Sequence, residues 1–289
     1  MHVLITDSGV GGLSVVAYAE RFVRTQGFRE PVRLTFANAA PANDYGYNSM
    51  PTRDEKLATF DRFLRNVTAR FVPDSIYVAC NTLSVLLPDT PFFTNAPIPV
   101  HGIVETAAAL MLRELQTDPS SVAMIFGTQT TIDAGAYPRI LIERGIEASR
   151  LVSQACPGLA DTISEDREGA KTREEIRGWV RTAIDKMTDR NAPVVAALAC
   201  THYGYRKELF ADAFDEARVA AKVINPNERA VGDLFGTDPE DRSREAEVRF
   251  VTRYAIPGVT VEALTYFLEP ISPATVTAMQ HFEHLPDLF

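Results

Sequence analysis

Short apolar runs rich in β-branched residues alternate with longer amphipathic runs along most of this 289-residue chain. Such alternation is typical of βαβ units built around mostly parallel sheets. The short runs predict strands near residues 2–6, 32–37, 75–79, 121–126, 150–153, 193–199 and 221–224. The amphipathic runs predict helices that include residues 13–24, 54–71, 131–144 and 173–187. We therefore expect an α/β fold.

Composition and charge limit the partners that such a chain can have. Hydrophobic residues make up 46% of the sequence and charged residues 23%, which is the profile of a globular protein with a core. The net charge of −9 disfavours nucleic acid and anionic membrane surfaces, because these need clustered Lys and Arg. Charges interrupt every apolar run before the roughly 20 residues of a membrane-spanning helix, and the first residues predict a strand instead of a targeting segment. We expect a cytoplasmic protein with a small-molecule partner.

The cysteines are odd in number and widely spaced, at Cys80, Cys156 and Cys200. Without a CxxC pair, they indicate neither a disulfide framework nor a structural zinc site, and a reducing cytosol fits them. No HxH or HExxH spacing indicates another metal site. The thiols are therefore either core residues or reactive groups. For Cys156, followed by Pro157-Gly158, the core or surface interpretation is favoured.

Two of the thiols share a pattern. Cys80 follows a predicted buried strand and precedes Asn81-Thr82, and Cys200 follows another and precedes Thr201-His202. Ligands of α/β sheets bind beyond the carboxyl ends of the strands, so both thiols lie where substrates are normally held. Each cysteine alone is more simply explained as a small core residue. The two cysteines occupy equivalent positions, and polar residues follow both. Together these features favour reactive thiols for the pair.

Inversion of a stereocentre next to a carboxylate needs one group to remove the α-proton and another to return a proton to the opposite face. A thiol with a pKa of about 8.5 can do either if helix N-termini or polar hydrogens stabilise the thiolate. Two thiols at related strand ends would supply both groups. The pair therefore predicts a cofactor-independent isomerase.

The segment Asp7-Ser8-Gly9-Val10-Gly11-Gly12 joins the first predicted strand to a helix, where free backbone N–H groups and the helix dipole attract an anion. A substrate carboxylate fits there, and a merely tight turn is the alternative. The spacing is not GxGxxG, and the second strand ends in Asn38 instead of an acidic residue, which disfavours NAD. His202 is the histidine placed to tune a thiol or to act as an auxiliary acid.

Four motifs stand out along the chain, in this order: Asp7-Ser8-Gly9-Val10-Gly11-Gly12-Leu13, Val78-Ala79-Cys80-Asn81-Thr82, Gly127-Thr128-Gln129-Thr130-Thr131-Ile132-Asp133-Ala134-Gly135-Ala136-Tyr137 and Leu198-Ala199-Cys200-Thr201-His202-Tyr203. With these motifs in the family's order, the chain resembles the bacterial glutamate racemases. Residues 248–252 resemble the last strand of that family, and the residues after about 270 look like an addition.

The resemblance implies two similar parallel-sheet α/β domains with the active site in the cleft between them. The first would comprise residues 1–99 and 212–270, the second residues 100–211, and residues 271–289 would form a C-terminal extension. It implies that Cys80 and Cys200 exchange the α-proton of an acidic amino acid, assisted by Asp7 and His202. The implied substrate-binding residues are Asp7, Ser8, Tyr45, Gly46, Asn81, Thr82, Thr128, Thr131, Thr201 and His202.

The implied activity is the racemisation of glutamate without pyridoxal phosphate or metal. This activity supplies D-glutamate for peptidoglycan. The resemblance also allows a homodimer. Two residues depart from the family pattern. Asp44 stands where Pro-Tyr-Gly has its proline, and Ser164 stands eight residues after Cys156, where the family tends to have glutamate. A carboxylate about 6 Å from a substrate carboxylate costs roughly 3 kcal/mol at an effective dielectric near 20, unless Asp44 turns away or meets a cation.

Three alternatives to the racemisation of glutamate stay open. The first is a racemase of another acidic amino acid, such as aspartate. The second is a lyase of malonate-like acids on the same scaffold, although such relatives tend to keep a single catalytic cysteine. The third is a non-catalytic ligand sensor, which would have no reason to keep both Cys80 and Cys200.

Overall fold

The computed structural model describes residues 1–235 and 242–289. The strands are β1 (His2–Asp7), β2 (Val32–Asn38), β3 (Ser75–Val78), β4 (Val100–Gly102), β5 (Val122–Gly127), β6 (Leu151–Ala155), β7 (Val194–Ala199), β8 (Ala221–Ile224), β9 (Ala246–Thr252) and β10 (Glu283–His284). All seven runs predicted as strands form strands, as does the predicted last strand of the resemblance.

Helices connect these strands. The α-helices are α1 (Leu13–Gln26), α2 (Arg53–Phe71), α3 (Asn81–Ser84), α4 (Pro91–Thr94), α5 (Ile103–Thr117), α6 (Gln129–Asp133), α7 (Ala136–Glu143), α8 (Leu159–Glu165), α9 (Ala170–Ile184), α10 (Lys207–Glu216), α11 (Ala230–Phe235), α12 (Gly258–Leu268) and α13 (Pro273–Gln280). Short 3₁₀ segments form at Leu87–Asp89, Ala148–Arg150, Thr201–Arg206 and Pro226–Glu228. Among the described residues, no helix has both the length and the apolar character needed to cross a bilayer.

The strands form two parallel sheets, in the orders β10-β9-β2-β1-β3-β4 and β6-β5-β7-β8. The expected α/β fold with two parallel sheets is therefore confirmed. The chain clusters into two compact units, which we call unit 1 (Met1–Ile103 and Asn227–Phe289) and unit 2 (Val104–Pro226). The domain boundaries expected from the resemblance stay a prediction.

The register of unit 1 aligns the carboxyl ends of three strands. Asp7 pairs with Asn38 at the end of β1 and β2, and Thr6 pairs with Val78 at the end of β3. The N–H of Ala79 then donates to the carbonyl of Thr6 at 2.9 Å, which carries β3 alongside β1 up to Cys80. The polar residues that follow β1, β2 and β3 consequently share one edge of the sheet.

Unit 2 repeats this arrangement with β5 and β7. Gly127 pairs with Ala199 at the carboxyl ends of these strands, so Thr128 and Cys200 follow directly from paired positions. Both strands are buried along their whole length, as expected of central strands in a parallel sheet covered on both faces. Each cysteine thus follows the strand next to the edge strand of its own sheet, β3 beside β4 and β7 beside β8.

One sequence expectation requires correction. The helix predicted over residues 131–144 is broken into α6 and α7, because Gly135 adopts the left-handed conformation at φ +60°. In the C-terminal tail, Val276 and Met279 are buried in α13, and the chain then extends into β10, which pairs with β9. The tail therefore completes the sheet of unit 1.

Candidate active site

The Cys80 thiol lies at the junction of β3 and α3 and is 5% exposed. Its sulfur is 3.0 Å from the Ser8 hydroxyl oxygen, on the loop that follows β1. The backbone N–H of Leu83 donates to the same sulfur at 3.5 Å, so Cys80 caps the N-terminus of α3. Two strand-to-helix junctions thus meet at this thiol.

Opposing influences act on the ionisation of Cys80. Burial, together with the negative charge of Asp7, raises its pKa to about 12. Hydrogen bonds from the Ser8 side chain and from the backbone N–H groups of Leu83 and Ser8 act in the opposite direction. At neutral pH Cys80 is therefore a thiol in this state, and added cations or donors are what would produce the thiolate.

The Asp7 carboxylate packs against the backbone of the loop. Asp7 is 1% exposed, and a methyl group added at Gly12 would lie 2.8 Å from its Cβ and 3.0 Å from its Oδ2. The Ser14 hydroxyl donates to the carbonyl of Gly11 at 2.9 Å, which fixes the loop at the start of α1. The glycine therefore permits a close approach between carboxylate and loop that a side chain would prevent.

A tyrosine that the sequence did not single out joins this edge. The Asn38 amide donates to the Tyr254 hydroxyl at 3.0 Å, and the Ala40 N–H donates to Asn38 Oδ1 at 3.0 Å. Burial and the charge of Asp7 raise the pKa of Tyr254. Because Tyr254 follows β9, more than 200 residues from Asn38 in sequence, only the pairing of β2 with β9 brings it here.

The other predicted residues of unit 1 divide into a buried and an exposed set. Asn81 and Thr82 are each 2% exposed at the start of α3. Tyr45 is 38% exposed, and its hydroxyl donates to Glu55 Oε1 at 2.5 Å. Asp44 is also exposed, so its carboxylate is in contact with solvent. Unit 1 therefore gathers Asp7, Ser8, Cys80, Asn81 and Thr82 around one sheet edge.

In unit 2 the Cys200 thiol follows β7 and is 7% exposed. Its sulfur is 4.0 Å from Nδ1 of the half-buried His202, and Thr201 between them is buried. Burial lowers the pKa of His202 to about 4, so the imidazole is neutral at pH 7. A neutral ring can donate or accept one hydrogen bond beside the thiol.

Two threonines lie on the neighbouring strand end. Thr128 caps α6 by accepting from the N–H of Thr131 at 3.3 Å, and the two hydroxyl oxygens are 3.0 Å apart. Since Gly127 pairs with Ala199, Thr128 and Cys200 each directly follow one member of this last strand pair. The structure thus groups Thr128, Thr131, Cys200, Thr201 and His202 in unit 2.

Cys156 has a different environment. It is 1% exposed, its sulfur donates to the carbonyl of Gln154 at 3.7 Å, and burial raises its pKa. Its carbonyl accepts from the Tyr203 hydroxyl at 3.1 Å. These contacts agree with the interpretation of Cys156 as a core residue. Across residues 1–235 and 242–289, no three His, Cys, Asp or Glu side chains are grouped so as to hold a metal ion.

Comparison with known proteins shows that this chain is similar to racemases. Residues 12–233 match the family described as Asp/Glu/Hydantoin racemase. The glutamate racemase of a Nitratiruptor species is 28% identical over 235 residues, 81% of this chain and 83% of that protein. The glutamate racemase of Syntrophus aciditrophicus is 29% identical over 286 residues, 88% of this chain and 94% of that protein.

Solved structures show the same fold. Glutamate racemase from Campylobacter jejuni subsp. jejuni has a TM-score of 0.71 at 20% identity and covers 93% of this chain and 98% of its own. The enzyme from Francisella tularensis subsp. tularensis, solved in complex with D-glutamate, has a TM-score of 0.71 at 22% identity, with coverages of 99% and 98%. The α/β fold predicted from the sequence is therefore that of known racemases.

Proposed function

Since this chain belongs to the Asp/Glu/hydantoin racemase family and is an amino-acid racemase, an isomerase, we propose that it interconverts L- and D-glutamate with Cys80 and Cys200 as its two acid–base groups. The substrate is the one named for the relatives. The proposal includes a cytoplasmic location, independence of added cofactors, and a role in supplying D-glutamate for peptidoglycan.

The observation that carries the proposal is the equivalence of the two thiols. Cys80 follows β3, and the neighbouring β1 carries Asp7 and Ser8 into its loop; Cys200 follows β7, and the neighbouring β5 carries Thr128. Each sulfur is nearly buried yet has polar neighbours. If both cysteines were only core residues, there would be no reason for them to occupy equivalent strand ends in the two units. Nor would there be a reason for polar residues to follow both of them and the neighbouring strand in each sheet.

The proposed reaction moves one proton off and one proton onto the α-carbon. A thiolate takes the α-proton from one face and becomes a thiol, which leaves a carbanion stabilised by the adjacent carboxylate. The other cysteine, present as a thiol, gives its proton to the opposite face and becomes a thiolate. The enzyme then holds the reverse protonation pattern and is ready for the other enantiomer. No redox change or added co-reactant is involved.

Substrate binding supplies a positive charge near the buried thiols, and polar side chains around them bind the substrate. The Asp7 carboxylate is an acceptor for the substrate ammonium, whose positive charge offsets the effect of Asp7 on Cys80. Asn81 and Thr82 at the start of α3, and Thr128 and Thr201 in unit 2, offer N–H and O–H donors for carboxylates. Because His202 is neutral at pH 7, we assign it the role of orienting the Cys200 thiol. It would not donate a proton as an imidazolium.

The choice of glutamate depends partly on Asp44. Its exposure supports the proposal, since solvent and salt screen an exposed carboxylate from a substrate several ångströms away. Aspartate racemisation is the second candidate, because the same two thiols and donors would serve it. Parallel assays with L-aspartate and L-glutamate separate the two, and release of CO₂ from malonate-like acids would indicate a lyase.

The direct test is solvent deuterium incorporation at the α-carbon of L- and D-glutamate, with the purified chain and no added cofactor. We expect exchange and inversion by the unmodified protein and loss of inversion by at least about 10³-fold in Cys80→Ala and in Cys200→Ala, since two-sided acid–base catalysis needs both groups. Cys156→Ala is the matched control and should keep most of the activity. Full activity in either of the first two variants would refute the two-thiol mechanism.

A further inference from the structure

Tyr254 is a half-buried tyrosine whose hydroxyl group lies next to an amide. The residue follows β9, and its hydroxyl oxygen is 3.0 Å from the amide nitrogen of Asn38. A hydroxyl can donate one hydrogen bond and accept others, whereas an amide oxygen only accepts and an amide nitrogen only donates. The role of the Tyr254 hydroxyl in this contact therefore depends on how the Asn38 amide is oriented.

Three contacts fix the orientation of the Asn38 amide. The backbone N–H of Ala40 donates to Asn38 Oδ1 at 3.0 Å, so the amide oxygen faces that N–H. The amide nitrogen then faces two hydroxyl oxygens, that of Tyr254 at 3.0 Å and that of Thr252 at 3.4 Å. Because the NH₂ group can only donate, both hydroxyl groups must accept from it.

Each of these two hydroxyl groups still has its own hydrogen to donate. The Thr252 hydroxyl donates to the carbonyl of Tyr254 at 3.2 Å. The Tyr254 hydroxyl forms no hydrogen bond to an acceptor in the part of the chain that the structure describes. Burial and the charge of Asp7 raise the pKa of the phenol, so the hydrogen is present at neutral pH. Tyr254 therefore has a donor that the protein itself does not use.

This donor lies one strand away from the Asp7 carboxylate. Asp7 and Asn38 are paired residues at the carboxyl ends of β1 and β2, and the N–H of Ala39 donates to the Asp7 carbonyl at 2.8 Å just beyond that pair. Neighbouring strands are about 4.8 Å apart, and residues paired in register direct their side chains to the same face of the sheet. The Asn38 side chain thus holds the Tyr254 hydroxyl on the face that carries Asp7.

An amino acid carries its ammonium group and its α-carboxylate on the same carbon, so an ammonium group bound at Asp7 brings the α-carboxylate to the donors around Asp7. We propose that Tyr254 is a substrate-binding residue, whose phenolic hydroxyl donates a hydrogen bond to that α-carboxylate. This inference rests on the proposed function and extends the site to a residue outside the four sequence motifs. The phenol then has two roles, as an acceptor for Asn38 and as a donor to the substrate.

The test compares two ligands that differ only in the α-carboxylate. One is racemic glutamate, whose composition turnover does not change, and the other is 4-aminobutyrate, which is glutamate without its α-carboxylate. Ligand-observed NMR titrations give both dissociation constants. Tyr254→Phe should weaken the binding of glutamate about tenfold, because a hydrogen bond to a charged group is lost, and should leave that of 4-aminobutyrate within about twofold. Tyr266→Phe, at a 54% exposed tyrosine of α12, is the matched control and should change neither constant.

In turnover, Tyr254→Phe should raise KM about tenfold with kcat within about threefold, since the hydrogen bond is made in the ground state and the transition state alike. Equal weakening of both ligands would overturn the inference, because a disturbed Asn38 or Asp7 affects the shared amine. Unchanged binding of glutamate would also overturn it, and racemisation by the unmodified protein would then leave the proposed function standing. Absence of glutamate binding to the unmodified protein would refute the proposed substrate together with this inference.

Discussion

The Ser8 hydroxyl oxygen lies 3.0 Å from the Cys80 sulfur, although the two residues are 72 positions apart in sequence. The contact exists because β1 and β3 are neighbours and end at the same edge of the sheet. It gives the thiol a polar partner in a place where burial would otherwise keep it inert.

Replacing Ser8 should therefore affect the ionisation of the Cys80 thiol more than the stability of the fold. In Ser8→Ala the thiolate loses a charge-assisted hydrogen bond, for which about 1.5–3 kcal/mol is typical, so kcat/KM should fall by about tenfold or more. The basic shift of the pH–rate profile is the measurement that identifies the cause. Ser49→Ala, at an exposed serine, serves as the control. A profile identical to that of the unmodified enzyme would contradict the assigned role.

Gly12→Ala should damage the site through Asp7. The added methyl group would lie 2.8 Å from Asp7 Cβ, so the carboxylate or the loop must move, and such overpacking costs about 1–3 kcal/mol. We expect a lower urea midpoint together with at least a tenfold loss of turnover. Gly232→Ala meets no atom within 4 Å and should be neutral or slightly stabilising. Equal effects of the two substitutions would show that the contact with Asp7 is unimportant.

His202 should make the protein sensitive to acid. The unfolded chain binds a proton at His202 below a pH of about 6.5, whereas the folded chain does so only near its lowered pKa of about 4. The stability from the neutral ring is therefore complete above pH 6.5 and is lost as pH falls toward 4. The full shift of the His202 pKa would correspond to a loss of about 3.4 kcal/mol, and the actual loss is smaller because the half-buried ring is partly solvated.

Urea unfolding at pH 7 and pH 4.5 measures this loss. In His202→Gln, the amide does not titrate, so the difference in unfolding free energy between the two pH values should shrink. His281→Gln, at an exposed histidine outside the site, is the control and should keep the full difference. The same acid loss in all three proteins would assign the titration to other groups.

Tyr254→Phe tests the hydrogen bond between Asn38, at the end of β2, and Tyr254, which follows β9. The substitution removes the acceptor of the 3.0 Å bond from Asn38 and leaves the amide with the weaker contact to the Thr252 hydroxyl at 3.4 Å. We expect a loss of about 1 kcal/mol of unfolding free energy. Tyr266→Phe, at a tyrosine that is 54% exposed, should change it by less than about 0.5 kcal/mol. Equal stability of both variants would show that Asn38 is satisfied without Tyr254.

The part of the site that the sequence predicts is the part that follows from local patterns. Apolar periodicity locates β1, β3, β5 and β7, and the residue after each buried strand necessarily reaches the carboxyl edge of its sheet. Cys80 and Cys200 were found in this way, and the motif resemblance added the residues around them. The catalytic roles of these residues stay a prediction that the thiol variants test.

Contacts between residues far apart in the chain could be known only from the three-dimensional fold. Tyr254 reaches Asn38 because β9 pairs with β2, and Tyr47 is buried because its loop folds back on Phe60. The break at Gly135 depends on a backbone conformation that helical periodicity does not reveal. Apolar periodicity in the sequence indicates which face of a segment is buried. Strand pairing and side-chain packing determine which residues that face contacts. The sequence therefore determined which residues stand at the strand ends, and the tertiary structure determined what surrounds each of them.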